Sequence, residues 1–346
     1  MNRGLHTRVP CIVLTILAAG LIGSMTVLSA VHAASKATAQ IPATREPQNY
    51  PTKPIRVVVA FAAGGAPDTF ARLIGQKLSE QVGQAVIVDN RPGATGNIGA
   101  EIVARAAPDG YTLFHATLSL AISPSFYRTL AIDPLKSFAP ITMLASVPLV
   151  LVAHASLPVQ SVRDLIAYAK ANPGKIQYAS VGVGSPQHVS AELLQSVTGA
   201  KLLHVPYKSG GAMAAAMLGG EAQLGLPAIA PALPHVKAGK LRAIAVTAVK
   251  RAAALPDTPT FAEAGFGRME ADNWNGLLAP AGTPKPLIER LHHEVTRAAR
   301  SREIAEQFAR QGAEVSLSTP EAFAATLKAE VEKWGKVVRA AGIEPQ

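Results

Sequence analysis

Two short segments carry the residue types that could hold a small anion. Phe61-Ala62-Ala63-Gly64-Gly65-Ala66-Pro67-Asp68 and Ser180-Val181-Gly182-Val183-Gly184-Ser185-Pro186-Gln187-His188 share one grammar: an apolar stretch, then glycines, then a proline opening a helical pattern. Glycine lets a backbone approach a ligand without a Cβ in the way. A helix start offers unpaired N–H groups and the positive end of the macrodipole. Together these make a carboxylate site that needs no Lys or Arg, and two such sites facing each other could grip one carboxylate from both sides. The same features also suit an ordinary strand-to-helix turn. Ser185 reads as an N-cap before Pro186. Asp68 sits where an acid favours the helix dipole; because it would repel a carboxylate, its role at such a site would be to orient water or a ligand donor. His188, in a first helical turn, could donate to an anion or serve the fold alone. The candidate set is Phe61, Ala63, Gly64, Gly65, Ala66 and Asp68 from one segment, and Ser180, Gly184, Ser185 and His188 from the other.

Other chemistries find little footing. Ser185 and His188 could suggest a hydrolase, but at a helix start they cap more readily than they form a nucleophile pair, and no acid is placed to orient the histidine. Asn90 to Gly99 contains GxxGxxG rather than the dinucleotide GxGxxG. There is no Walker A, HExxH or GxSxG sequence. His292-His293 lacks metal-ligand spacing. The only cysteine is Cys11, which lies in the N-terminal segment and leaves the rest without thiolate ligands or disulfides. No cofactor and no metal are expected.

These segments need strands and helices to position them. Ile55 to Phe61 reads as a buried strand, and Phe70, Leu73, Ile74 and Leu78 recur at helical spacing behind Pro67. The unit repeats: strands at 85–88, 149–153, 176–180, 202–205, 222–226 and 241–246, with helices at 97–107, 162–171 (capped by Ser161) and 186–197. Beyond Pro280 the pattern is wholly helical, over 284–300, 302–311 and 320–341. Alternating strands and helices predict an α/β fold of mostly parallel sheets flanked by helices.

The N-terminus reads as a targeting segment. Arg3 and Arg8 precede an apolar run from Cys11 to Val31, and Val31-His32-Ala33 suits a signal peptidase. Residues 1–33 are expected to be a cleaved signal peptide and 34–49 a disordered lead-in rich in Ala, Thr, Pro and Gln. The formal charge is +10, yet Lys and Arg are interspersed with acids and never run five together. That argues against nucleic acid and for weak steering of anionic ligands.

Ordered motifs add a resemblance. Tyr50-Pro51-Thr52-Lys53-Pro54-Ile55 leads into Phe61-Ala62-Ala63-Gly64-Gly65. Asn90-Arg91-Pro92-Gly93, Asn97-Ile98-Gly99-Ala100, Ala107-Pro108-Asp109-Gly110-Tyr111-Thr112-Leu113 and Phe138-Ala139-Pro140-Ile141 follow. His204-Val205-Pro206-Tyr207-Lys208, the run from Ala232 to Arg242, and Leu277-Leu278-Ala279-Pro280-Ala281-Gly282-Thr283-Pro284 complete the series. From Tyr50 to Ile343 the chain resembles the substrate receptors of tripartite tricarboxylate transporters, the Bug family. The resemblance implies a two-lobed periplasmic binding fold with two hinge crossings and a ligand cleft between the lobes. One lobe would be residues 50–150 with the C-terminal helices of 273–346, and the other 151–272. It also implies a periplasmic monomer that carries a small carboxylic acid to membrane transporter subunits, or presents it to a membrane kinase. Family receptors hold a ligand carboxylate between two strand-to-helix loops, which map onto 61–68 and 180–188. Two departures stand out. Ala63 and Ala66 replace a proline and a glycine usual in the first loop. Pro227-Ala228 stands where the family often carries Asp-Asn facing the far end of the ligand, so a neutral far end, as in a keto, hydroxy or aromatic acid, is expected, with a dicarboxylate left open where water or backbone N–H groups serve its second anion.

Overall fold

The computed structural model describes residues 49–345 except 268, 270 and 272. The expected signal peptide and residues 34–48 of the expected lead-in lie outside the described residues. β1 (Ile55–Val59) runs into α1 (Ala66–Val82), β2 (Val86–Asn90), α2 (Asn97–Ala104), β3 (Thr112–Thr117), α3 (Leu118–Ile122) and β4 (Phe138–Val147). Next come β5 (Val150–His154), α4 (Val162–Ala171), β6 (Gln177–Ser180), α5 (Pro186–Thr198), β7 (Leu203–Pro206), α6 (Gly210–Leu218), β8 (Leu224–Gly225), α7 (Ile229–Lys237) and β9 (Leu241–Val246). The chain closes with β10 (Asn273–Pro280), α8 (Lys285–Ala299), α9 (Arg302–Arg310), β11 (Glu314–Val315) and α10 (Pro320–Ala340).

Two sheets result, in the orders β11-β4-β10-β3-β1-β2 and β7-β6-β8-β5-β9. The α/β, two-sheet architecture matches the expectation, but the mostly parallel arrangement does not. β1 pairs in parallel with β2 and β3, and β6 with β7 and β8. β10 runs antiparallel to β3 and β4, β11 to β4, and β5 to β8 and β9. The reason is the route of the chain. β4 passes almost directly into β5, and β10 brings the chain back, so the strands that connect the sheets enter them against the direction of the strand-helix-strand units. A second correction concerns the C-terminal part, which is not wholly helical: β11 adds a short edge strand beside β4.

β10 escapes a propensity reading because Asn273, Asn275 and Gly276 dilute its apolar run. Gly276 has a packing reason. A Cβ there would lie 2.5 Å from the Phe323 ring of α10, and Phe323 sits edge-on against Trp274 at 5.3 Å. Helix α4 matches its expected span, and the Ser161 hydroxyl accepts the Asp164 N–H as its cap. The central strands are buried on both faces, with Val57 and Val59 in one apolar cluster and Val58 in another, as strands covered by helices on both sides must be. Helix α10 packs against α3 and also against α5, so its apolar face serves elements attached to both sheets.

Candidate ligand-binding site

Both glycine loops leave the C-terminal end of a strand flanked in parallel on each side: β1 lies between β2 and β3, and β6 between β8 and β7. At such a position the next two crossovers diverge to opposite sides of the strand, opening a crevice at its C-terminal end where α/β proteins bind ligands. The two segments singled out by residue type thus occupy equivalent switch points in the two sheets.

Their local construction is also equivalent. Gly64 and Gly184 both adopt left-handed backbone, φ 86° and 78°, which a side chain would strain. Each is followed by the N-cap residue, Gly65 or Ser185, and a proline within the first two helical positions. In each helix the third residue turns its side chain back onto the loop. Asp68 Oδ2 accepts the Gly64 N–H at 2.9 Å, and His188 Nδ1 accepts the Gly184 N–H at 3.1 Å. Both act as variants of a capping box that fastens the residue before the cap. The amides of Gly65 and Ala66, and of Val183 and Gln187, have no acceptor among the described hydrogen bonds. They are free donors at positive helix ends.

The fasteners differ electrostatically. Asp68 is buried, and burial alone would raise its pKa. Hydrogen bonds from Arg72, Gly64 and Asn90 outweigh that and hold it below the usual carboxylate value. Its oxygens meet Arg72 at 3.0 Å and Asn90 Nδ2 at 2.9 Å, so it is a compensated charge that shapes the loop. Asn90 also donates to the Phe61 carbonyl at 3.0 Å, tying the end of β2 to the loop. His188 is buried and neutral; burial and then the neighbouring His204 push its pKa down to about 3. Its ring stacks on His204 at 4.2 Å, and His204 on Tyr178 at 4.8 Å. His204 Nε2 meets Ser180 Oγ at 2.6 Å, so buried Ser180 braces the loop from below.

Ser185 caps α5 as expected: its Oγ accepts the His188 N–H at 3.3 Å and donates to the Gly182 carbonyl at 2.7 Å. Both its bonds go to backbone, and among the described contacts Ser185 Oγ makes no hydrogen bond to the His188 ring. The sequence placed no acid to orient the histidine; Glu192, one turn along, stands 3.9 Å from His188 Nε2, beyond hydrogen-bond reach. That oxygen already accepts from Tyr178 and Gln195 at 2.6 and 2.7 Å, which leaves it a bracing role in this geometry.

Ala63, Gly64 and Gly65 are exposed, while Phe61 and Ala66 are half-buried. Phe61 borders a recess of about 10 Å³ with Thr95, Asn97, Thr117 and Ser119, room for one water-sized group, where the Asn97 side-chain nitrogen is buried without a partner. Pro227 and Ala228 belong to neither loop. They join Val181 and Gln187 around a separate cavity beside the second loop. No described hydrogen bond links residues 61–68 to 180–188 directly. Two residues that sequence reasoning missed lie between the second loop and Thr95. A Cβ on Gly184 would touch the Phe126 ring at 3.4 Å, and that ring lies 5.7 Å from His188. The next residue, Tyr127, pairs its hydroxyl with Thr95 at 3.0 Å. Phe126 and Tyr127 follow α3 in a stretch without periodicity, so only Asn90, in a quoted motif, carried a local signal.

Two α/β sheets with matched loops at their switch points define a two-lobed binding protein of the periplasmic receptor class. Residues 70–343 match the tripartite tricarboxylate transporter family receptor, and the chain belongs to that family. It is 36% identical over 321 residues to BugT of Bordetella pertussis, covering 92% of this chain and 98% of that protein. It is similar to an R. palustris protein solved with adipate, at 37% identity and TM-score 0.76, covering 86% of this chain and 100% of the other. MatC of Rhodopseudomonas palustris, solved with malate, is 31% identical with TM-score 0.72, covering 84% and 100%.

Proposed function

We propose that this chain is an exported monomeric receptor that grips the carboxylate of a small metabolite between residues 61–68 and 180–188, and delivers it to the membrane subunits of a tripartite transporter. The observation that carries this reading is the matched pair of switch-point loops, each with its glycine amide fastened and two nearby amides free. In this reading the closing bodies are residues 50–150 with 273–346, and residues 151–272. Closure follows from contacts that a ligand makes to both bodies only when they meet. The carboxylate ligands of the two R. palustris relatives support the anion class. Micromolar affinity requires about −8 kcal/mol, within reach of several charge-assisted hydrogen bonds and cleft burial.

The ligand's far end carries no ammonium in this reading, since neither Pro227 nor Ala228 offers a side-chain acceptor and a buried ammonium without a partner is costly. Native mass spectrometry of freshly purified protein, with calorimetric titration of a panel of acids, tests the proposal. A co-purified carboxylic acid recovered unchanged is expected, with aspartate and glutamate weaker than their des-amino analogues. Chemical turnover of the acid, or tight binding of amino acids alone, would overturn it. Export is checked separately: sequencing the periplasmic form should begin just after Ala33.

A further inference from the structure

Helices α6 and α7 do not close on each other. Between them lies a cavity of about 150 Å³. Met213, Met217, Pro231 and Ala232 form much of its wall, His235 is the one ionisable side chain on it, and no Lys, Arg, Asp or Glu lines it. An apolar cavity of this size accepts a benzene ring, and methionine thioethers adapt well to an aromatic edge. The cavity is continuous with the second loop: Val181 from that loop and Gln187 from the first turn of α5 also line it, beside Pro227 and Ala228. Gln187 presents a free backbone amide, and its side-chain carbonyl oxygen is buried with no hydrogen-bond partner. Buried acceptors are normally satisfied, so this one stands ready for a donor arriving with a ligand.

The geometry points to this cavity as the seat of an aromatic ring carried by the carboxylate ligand. The carboxylate lies on the loop amides, the ring between α6 and α7, and a ring hydroxyl donates to Gln187. This inference rests on the anion-receptor reading above and narrows it to aromatic carboxylic acids. Small residues keep the space open: Ala214 and Ala232 line it where a larger side chain would fill it.

Calorimetric titration of the whole protein with benzoate, 4-hydroxybenzoate, acetate and succinate provides the test, on the native chain, Ala214→Phe and Met217→Ala. Benzoate should bind at least about tenfold more tightly than acetate, the gain expected for burying a ring. Ala214→Phe should remove about tenfold or more of the benzoate affinity by occupying the cavity, and leave succinate within about twofold. Met217→Ala, which enlarges the cavity, should let 2-naphthoate bind more tightly than it binds the native chain. Should acetate and succinate bind while benzoate gains nothing and neither variant alters its affinity, the ring site is wrong and the anion site stands. If no carboxylate of any size binds the native chain, both readings fall together.

Discussion

The loops after β1 and β6 are built to one plan and charged differently. Each sets a left-handed glycine before a helix, and each uses the third helical side chain to fasten that glycine's amide. After β1 the fastener is an ionised carboxylate neutralised by Arg72 and Asn90. After β6 it is a neutral imidazole stacked in a column of rings. The lesson is that the device the two loops share, free amides at a helix start, resides in the backbone, and the fastener's charge is adjustable as long as it can accept one hydrogen bond. The β6 loop presents its amides over an uncharged fastener. The β1 loop presents its amides over a compensated ion pair.

The sharpest way to break the comparison is to block the amides. Gly65→Val meets only ordinary contacts, the nearest 3.6 Å away, and Gly65 has no left-handed φ. The variant should therefore keep its circular dichroism spectrum and lose at least about a hundredfold in carboxylate affinity, equivalent to about 2.7 kcal/mol. Gly184→Val is harsher, because its backbone is left-handed and its Cβ meets Phe126, so thermal stability should fall along with binding. Unchanged affinity in Gly65→Val would reduce both loops to structural turns.

Removing a fastener comes next. Asp68→Ala orphans the Gly64 amide, removes one of the acceptors of Asn90 Nδ2 and takes the carboxylate from Arg72, and should cost about 1–3 kcal/mol in chemical denaturation. Asp68→Asn keeps an acceptor and should recover much of that loss. Equal losses in both would mean that the charge itself, rather than the hydrogen bond, holds the loop.

Acid should separate the two loops. His188 has a folded pKa of about 3 against 6.5 in a free side chain, and His115 about 4 against 6.5 through burial. The unfolded chain therefore takes up protons first as pH falls below 6.5. Stability should decline from there toward pH 4, by up to about 1.4 kcal/mol per pH unit for each such histidine. Asp68, whose pKa is lowered from 3.8, stabilises above that value and yields only at lower pH. Urea denaturation at pH 7, 5.5 and 4.5 checks the sign, and His188→Gln should flatten the slope. The smallest effect is expected from Ser185→Ala, which removes a helix cap worth about 1 kcal/mol and leaves the fastener in place.

Much of this was legible along the chain because it is local. The helix at 162–171 and the strand at 241–246 have their observed limits in the expected ones, since caps and apolar periodicity are short-range signals. Gly64, Asp68, Gly184, Ser185 and His188 were visible as a repeated pattern for the same reason. β10 was not, because its glycine is there for Phe323, 47 residues away along the chain.

By itself the sequence determined the α/β class, the two glycine loops, their proline-led helices and the absence of an acidic side chain at 227–228. Only the tertiary structure decided that both loops leave switch-point strands, that the connecting strands run antiparallel, and that α6 and α7 leave an apolar cavity beside Gln187. Strand order, the partner of Phe126 and the gap between two helices depend on which distant segments share a surface, and no spacing along a chain encodes that. The residue types that can bind an anion are chosen locally; whether they meet, and what lies next to them, is settled by the packing of the whole.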